Sequence, residues 1–145
     1  MRVEEADHWS LALWAADCAE RVLPFFEEKY PKDDRPRNAI DALRAWTRGE
    51  IRVGAARAAG LAAHAAAREA DEGAPRAAAR AAGQAVGTAH MAAHARHAAA
   101  YAVTTVRCAA VPTDAAADAA REHDWQYQHL PEHLRRVAFP ARDAP

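Results

Sequence analysis

Serine, cysteine and lysine are scarce in this chain, and strand-forming runs are almost missing. Cysteine occurs twice, at Cys18 and Cys108. Two cysteines without CxxC spacing make neither a disulfide framework nor a zinc ribbon, so a reducing compartment is the simpler setting. The one serine is Ser10, which leaves no GxSxG elbow for a nucleophile. GxxxxGK[ST] and GxGxxG loops are also missing, so nothing is set out to cradle a nucleotide's phosphates. Runs of Val, Ile and Thr are too few to build a sheet. No apolar stretch approaches the roughly 20 residues that span a bilayer. The first residues, MRVEEADHWS, lack the basic-then-apolar order of a signal peptide. Neither sign of charge dominates, with 19 basic side chains against 20 acidic ones and a net charge of -1. That balance is not the basic footprint a phosphate backbone requires. A cytoplasmic protein without nucleic-acid or membrane partners is expected.

What the chain has in quantity is alanine, which supplies most of the 51% hydrophobic content. Alanine has the highest helix propensity, and the whole chain is expected to be all-α. Five to six helices follow from the punctuation. The first covers residues 8–22, and Pro24 kinks or restarts it before Tyr30. Asp33 or Asp34 caps a second, with Pro36 in its first turn and Gly49 near its end. A third runs over 50–72 to Gly73, the longest over 75–108, and a fifth from Pro112 to Pro131. Residues 1–145 are expected to make one domain with its core over about 8–138 and a loose tail at 139–145.

Packing material is unevenly spread. Between Gly54 and Ala100 the large aliphatic residues are Leu61, Val86 and Met91. Trp9, Leu11, Leu13, Trp14, Val22, Leu23, Phe25, Phe26, Ile40, Leu43, Trp46 and Ile51 precede that zone. The two middle helices must therefore pair closely through alanine and glycine, clad by the aromatic ends, in a bundle or orthogonal array.

One helical face in this alanine-rich zone stands out. At about 100° per residue, Gly83, Gly87, His90, His94, His97 and Tyr101 share a stripe roughly 80° wide. Glycine weakens a helix interior, so two on one face point to a close approach by a neighbour. His90, His94 and His97 are the candidate metal ligands, but Met91, Ala92 and Ala93 replace the glutamate of an HExxH site, and no carboxylate on the same helix completes the set. Histidines hydrogen-bonded to a neighbouring helix are the expectation, with no metal and no cofactor.

Arginine makes a second pattern. Arg37, Asp41 and Arg44 stand at i,i+4 and i,i+3 spacing, and Arg48 extends the row. Such a face recognises a carboxylate or a phosphate bidentately, or else is a solvated ion-pair row. Asp17 lies among alanines on the first helix and, if buried, needs a partner such as Arg37 or His90. Cys18 beside it has no activating neighbour and fits a small core residue.

Four strings carry a resemblance to a known family: LALWAADCAERVLPFFEEKYP, DDRPRNAIDALRAWTRGE, AARAAGQAVGTAHMAAHA and WQYQHLPEHLR. Over about Trp9 to Arg136, in the same order, the chain resembles the bacterial putative immunity protein family of the immunity-type-five-like kind. The string from Arg35 to Glu50 is the most specific part, followed by that from Gly83 to Ala95. The resemblance implies a small, cytoplasmic, helical protein that binds and neutralises a cognate toxin without catalysis. It transfers no catalytic residues, and the third histidine, His97, is not part of the family pattern. The residues themselves leave a second reading open: a small-molecule or metal-binding helical protein, or an enzyme, with a pocket of His90, His94, Tyr101 and Asp17. In the first reading the partner face is Arg37, Asp41, Arg44 and Arg48.

Overall fold

The computed structural model describes residues 4–140. Helix α1 covers Glu5–Val22, α2 Pro24–Glu27, α3 Arg35–Thr47, α4 Val53–Glu69, α5 Ala74–Gly87, α6 His94–Ala109, α7 Ala115–Gln128 and α8 Arg135–Ala138. A 3-10 turn at Glu132–Leu134 precedes α8, and there is no strand among the described residues. None of these helices is long and apolar enough to cross a membrane. The chain is thus all-helical, but in more pieces than five to six.

Punctuation sets most of the ends. Pro24 and Pro36 occupy the first turns of α2 and α3, where the missing N–H costs nothing. Asp33 Oδ1 accepts the Arg35 N–H at 3.1 Å and serves the start of α3. Gly49 and Gly73 take φ of +74° and +96° at the turns that follow α3 and α4, a region closed to most side chains.

The expected helix over 75–108 does not exist as one piece. It stops at Gly87 and resumes at His94. Across the break Thr88 and Ala89 donate to Ala85 and Val86 at 3.0 and 3.1 Å, the tighter i→i−3 pattern. Gly87 and Thr88 are both weak helix formers. The freed Thr88 carbonyl accepts a hydrogen bond from His8 Nε2 of α1, so a tertiary partner satisfies the helix end.

Helix α5 is the hub. Nine of its residues, Ala77, Ala78, Ala79, Ala81, Ala82, Gly83, Ala85, Val86 and Gly87, are buried, and it packs against α1, α2, α3, α4 and α6. A helix this thin lets neighbours approach on every side. At Gly60 of α4 an added Cβ would stand 3.0 Å from Val86 Cγ1 and 3.7 Å from the Gly83 carbonyl oxygen. Larger side chains fill the rim: Leu11, Trp14, Leu23, Phe26, Ile40 and Leu43 are buried. Trp9, Leu13 and Phe25, from the same packing-rich zone of the sequence, are exposed instead.

The C-terminal part closes over α1. Trp14 Nε1 donates to the Gln126 carbonyl at 2.9 Å, and Arg21 makes two bonds to Glu122 at 2.8 and 2.9 Å while lying 3.8 Å over the Trp125 ring. Phe139, placed by sequence in a loose tail, meets Trp14 edge-on at 5.7 Å and His123 at 4.8 Å. Residues 141–145 of that tail lie outside the described residues.

Candidate functional site

The arginine row of α3 is occupied. Arg44 donates to Glu20 Oε2 at 2.9 Å and to Asp17 Oδ1 at 2.9 Å, and Arg37 donates to Glu27 at 2.8 Å and to Glu20 at 3.1 Å. The bonds run between helices, from α3 to α1 and α2, and not along α3 to Asp41, which is exposed. Arg48 pairs with Glu50 at 2.9 Å. The hydrogen bond from Arg44 is the main cause that holds the Glu20 carboxyl below its usual range. This cluster acts as a clasp between α1, α2 and α3. Asp17 belongs to it and is 59% exposed, so it is not a buried carboxylate and its partner is Arg44, neither Arg37 nor His90. Cys18 beside it is fully buried, and burial pushes its thiol well above the ordinary value. Ser10 Oγ donates to the Ala6 carbonyl one turn back on α1.

The histidines gather elsewhere. A cleft of about 150 Å³ opens between α4, α5 and the break before α6, lined by Arg57, Leu61, His64, Gln84, His90 and His94. Its floor is Gly60, Gly83, Val86 and Gly87. The glycines are required here. A Cβ on Gly83 would lie 2.6 Å from His64 Cε1 and Nε2, and one on Gly87 3.1 Å from His94 Cγ. His64 therefore rests on Gly83 and His94 on Gly87.

Hydrogen bonds fix the rings. Arg80 Nη1 and His64 Nδ1 are 2.8 Å apart. A guanidinium only donates, so Nδ1 accepts and the proton of neutral His64 sits on Nε2, over Gly83. His94 Nδ1 donates to Gln84 Oε1 at 2.7 Å, which leaves Nε2 of neutral His94 as an acceptor. Burial, then the Arg80 and Arg68 charges, holds His64 below the ordinary imidazole value. Burial and the neighbouring His90 and His97 do the same for His94, and burial and Arg57 for His90. At neutral pH the cleft thus offers uncharged imidazoles with a guanidinium at the edge.

The helix break reshapes the stripe that the sequence lays out. Gly83 and Gly87 are buried and His94 is half-buried, but His90 and His97 are exposed. The ring centroids of His90 and His94 lie 5.0 Å apart, those of His94 and His97 6.1 Å. Among the described residues no group of three or more His, Cys, Asp or Glu is disposed to hold a metal ion. Tyr101 sits partly buried against the core, and neither it nor Asp17 lines the cleft. His64, Arg57 and Gln84 replace them. The signal for His64 was present in the sequence: it stands on α4 two turns from Arg57 and one from Leu61, on the face that Gly83 has to meet.

Comparison with known proteins places the sequence in a family. The family model described as Imm-5 like putative immunity protein matches residues 1–133. No curated protein and no solved structure matches the chain significantly.

Proposed function

The chain belongs to the Imm-5 like putative immunity protein family, and we propose that it binds and neutralises a cognate bacterial toxin by occlusion, without catalysis. The match over residues 1–133 carries this reading. The residue chemistry agrees with it. Cys18 is a buried, protonated thiol and Ser10 is tied back to its own helix, so neither is poised as a nucleophile. The protein acts as one cytoplasmic domain over residues 1–145, built around the close alanine- and glycine-mediated packing of α4 on α5.

Of the sequence-derived contact residues, His90 and His94 are assigned to the partner surface. Arg37 and Arg44 are assigned to the fold, since a partner reaching them has to displace Glu20, Glu27 and Asp17 first. Asp41 and Arg48 lie at the outer edge of that clasp and contribute to steering. Cleft size weighs against a small molecule between His90 and His94. Ligand pockets run to about 300–1,000 Å³, and 150 Å³ suits one side chain of a partner. The test is co-expression with each candidate toxin gene from the same genome. Restored growth and a complex that co-purifies at fixed stoichiometry are expected. A protein that leaves growth arrested, and instead turns over a small molecule, refutes the reading.

A further inference from the structure

We infer that the face around the histidine cleft docks an acidic side chain, set in an apolar surround, of a partner protein; this rests on the immunity reading above. Charge segregation is the first observation. From Ile51 to Thr113 the acidic residues are Glu69, Asp71 and Glu72. All three sit at the turn between α4 and α5, each paired there: Glu69 with Arg35, Asp71 with Lys29 and Glu72 with Arg76. No carboxylate lines the cleft.

The second observation is the outer face of α4. Arg57, Leu61, His64 and Arg68 recur at i, i+4, i+7 and i+11, within an arc of roughly 60°. Among the described residues neither Arg57 nor Arg68 has an ion-pair partner, in contrast to the clasped arginines of α3. Leu61 is 72% exposed, and Met91, on the turn that leads into α6, is 54% exposed. Exposed large apolar side chains beside a concave, polar-centred site mark a protein contact.

The cleft chemistry selects the guest. His64 Nε2–H and the Arg57 guanidinium donate, and His94 Nε2 becomes a third donor when the ring takes up a proton. An aspartate or glutamate accepts from all three, and its charge compensates the cost that burial imposes on a protonated imidazole. An amide or alcohol gains less. A nucleic-acid backbone fits poorly, because two free guanidiniums on an apolar face do not track a row of phosphates.

Two arms test this in the intact protein. In the first, histidine Cε1–H resonances are followed while a capped tripeptide, aspartate between two leucines, is titrated to millimolar concentration, with the asparagine version as its control. His94 is expected to shift toward its protonated position with the aspartate peptide alone, His64 to shift while its Nδ1 still accepts from Arg80, and Arg57→Ala to abolish the response. Equal response to both peptides, or none, overturns the proposal, as does Arg57-dependent binding of a labelled single-stranded RNA by a protein that ignores the peptide. In the second arm, affinity for the toxin identified by co-expression is measured for Arg57→Glu and, as a variant at an exposed turn position, Met91→Glu. Each is expected to weaken binding by about 30-fold or more, as central contacts do, with an unchanged circular-dichroism melt. Unchanged toxin affinity in both variants overturns the docking face and leaves the immunity reading intact. A toxin that does not bind the wild-type protein overturns the immunity reading, and the peptide arm then decides the site by itself.

Discussion

Replacing Gly83 by alanine tests the packing of the cleft floor with one methyl group. The backbone there is helical, so alanine is expected to stabilise it by about 1 kcal/mol. The new Cβ, however, would stand 2.6 Å from His64 Cε1 and Nε2 and 2.9 Å from Cδ2. The ring has to swing away, and the 2.8 Å bond from Arg80 goes with it. A bond from a charged donor is worth about 1.5–3 kcal/mol; part-exposure puts this one near about 2 kcal/mol. The net result is a loss of about 1 kcal/mol, or a fall of about 3 °C in Tm for a domain of this size. In a His64→Ala background the three closest contacts of the methyl are gone, and the helix gain is expected to dominate. The double-mutant cycle should therefore return a coupling of about 2 kcal/mol. Chemical denaturation at pH 7.5, followed by circular dichroism, measures all four corners. Gly54→Ala, whose Cβ would have nothing within 4 Å, is the control and should stabilise slightly. Additive effects of the two substitutions, or a Gly83→Ala protein as stable as Gly54→Ala, would show that the imidazole does not rest on the glycine.

Three further outcomes are expected. Stability should fall as pH drops from about 7 toward 5, because the folded pKa values of His64, His90 and His94 lie below the ordinary 6.5 and the unfolded chain binds more protons in that window; a His64→Gln variant should flatten the slope in denaturant melts at stepped pH, and an unaltered slope argues against a buried neutral ring. Reversing Arg37 and Arg44 to glutamate places acid beside Glu20, Glu27 and Asp17 and should cost about 2 kcal/mol, a figure held low because these pairs are partly exposed; a Tm unchanged in low salt would show that the clasp contributes nothing. Chelator should leave the Tm of purified protein where it was, and a large drop reversed by zinc would establish a metal site.

Much of the fold is legible in the sequence because proline and glycine stand where helices turn. Pro24, Pro36 and Gly49 mark ends that the structure places within a residue or two, while α4 runs Val53–Glu69 in place of 50–72 and Gly73 precedes the start of α5. The break after Gly87 is not legible in the same way. The Thr88 carbonyl that it frees is met by His8, eighty positions away, while the local histidine period continues smoothly across the break. Helical periodicity describes a segment on its own and does not register a tertiary partner waiting for the carbonyl at its end. Exposure of Trp9 and Leu13 has a related origin: α1 already fills its inner face with Leu11, Trp14, Ala15 and Cys18, so the remaining large side chains turn outward.

The arginine row shows why a charged helix face cannot be assigned from its own helix. Arg37 and Arg44 look available when Asp41 is the only acid considered, since one carboxylate cannot neutralise two guanidiniums. The acids that take them, Glu20, Glu27 and Asp17, come from α1 and α2 and enter only through packing. On α4 the same reasoning runs the other way. The long stretch from Ile51 to Thr113 carries its acids in one cluster at Glu69–Glu72, already matched by Lys29, Arg35 and Arg76. Packing therefore has no carboxylate left to bring to Arg57 from α4, α5 or α6. Distribution of acid along the chain, more than the spacing of the arginines themselves, decides which guanidiniums remain for a partner.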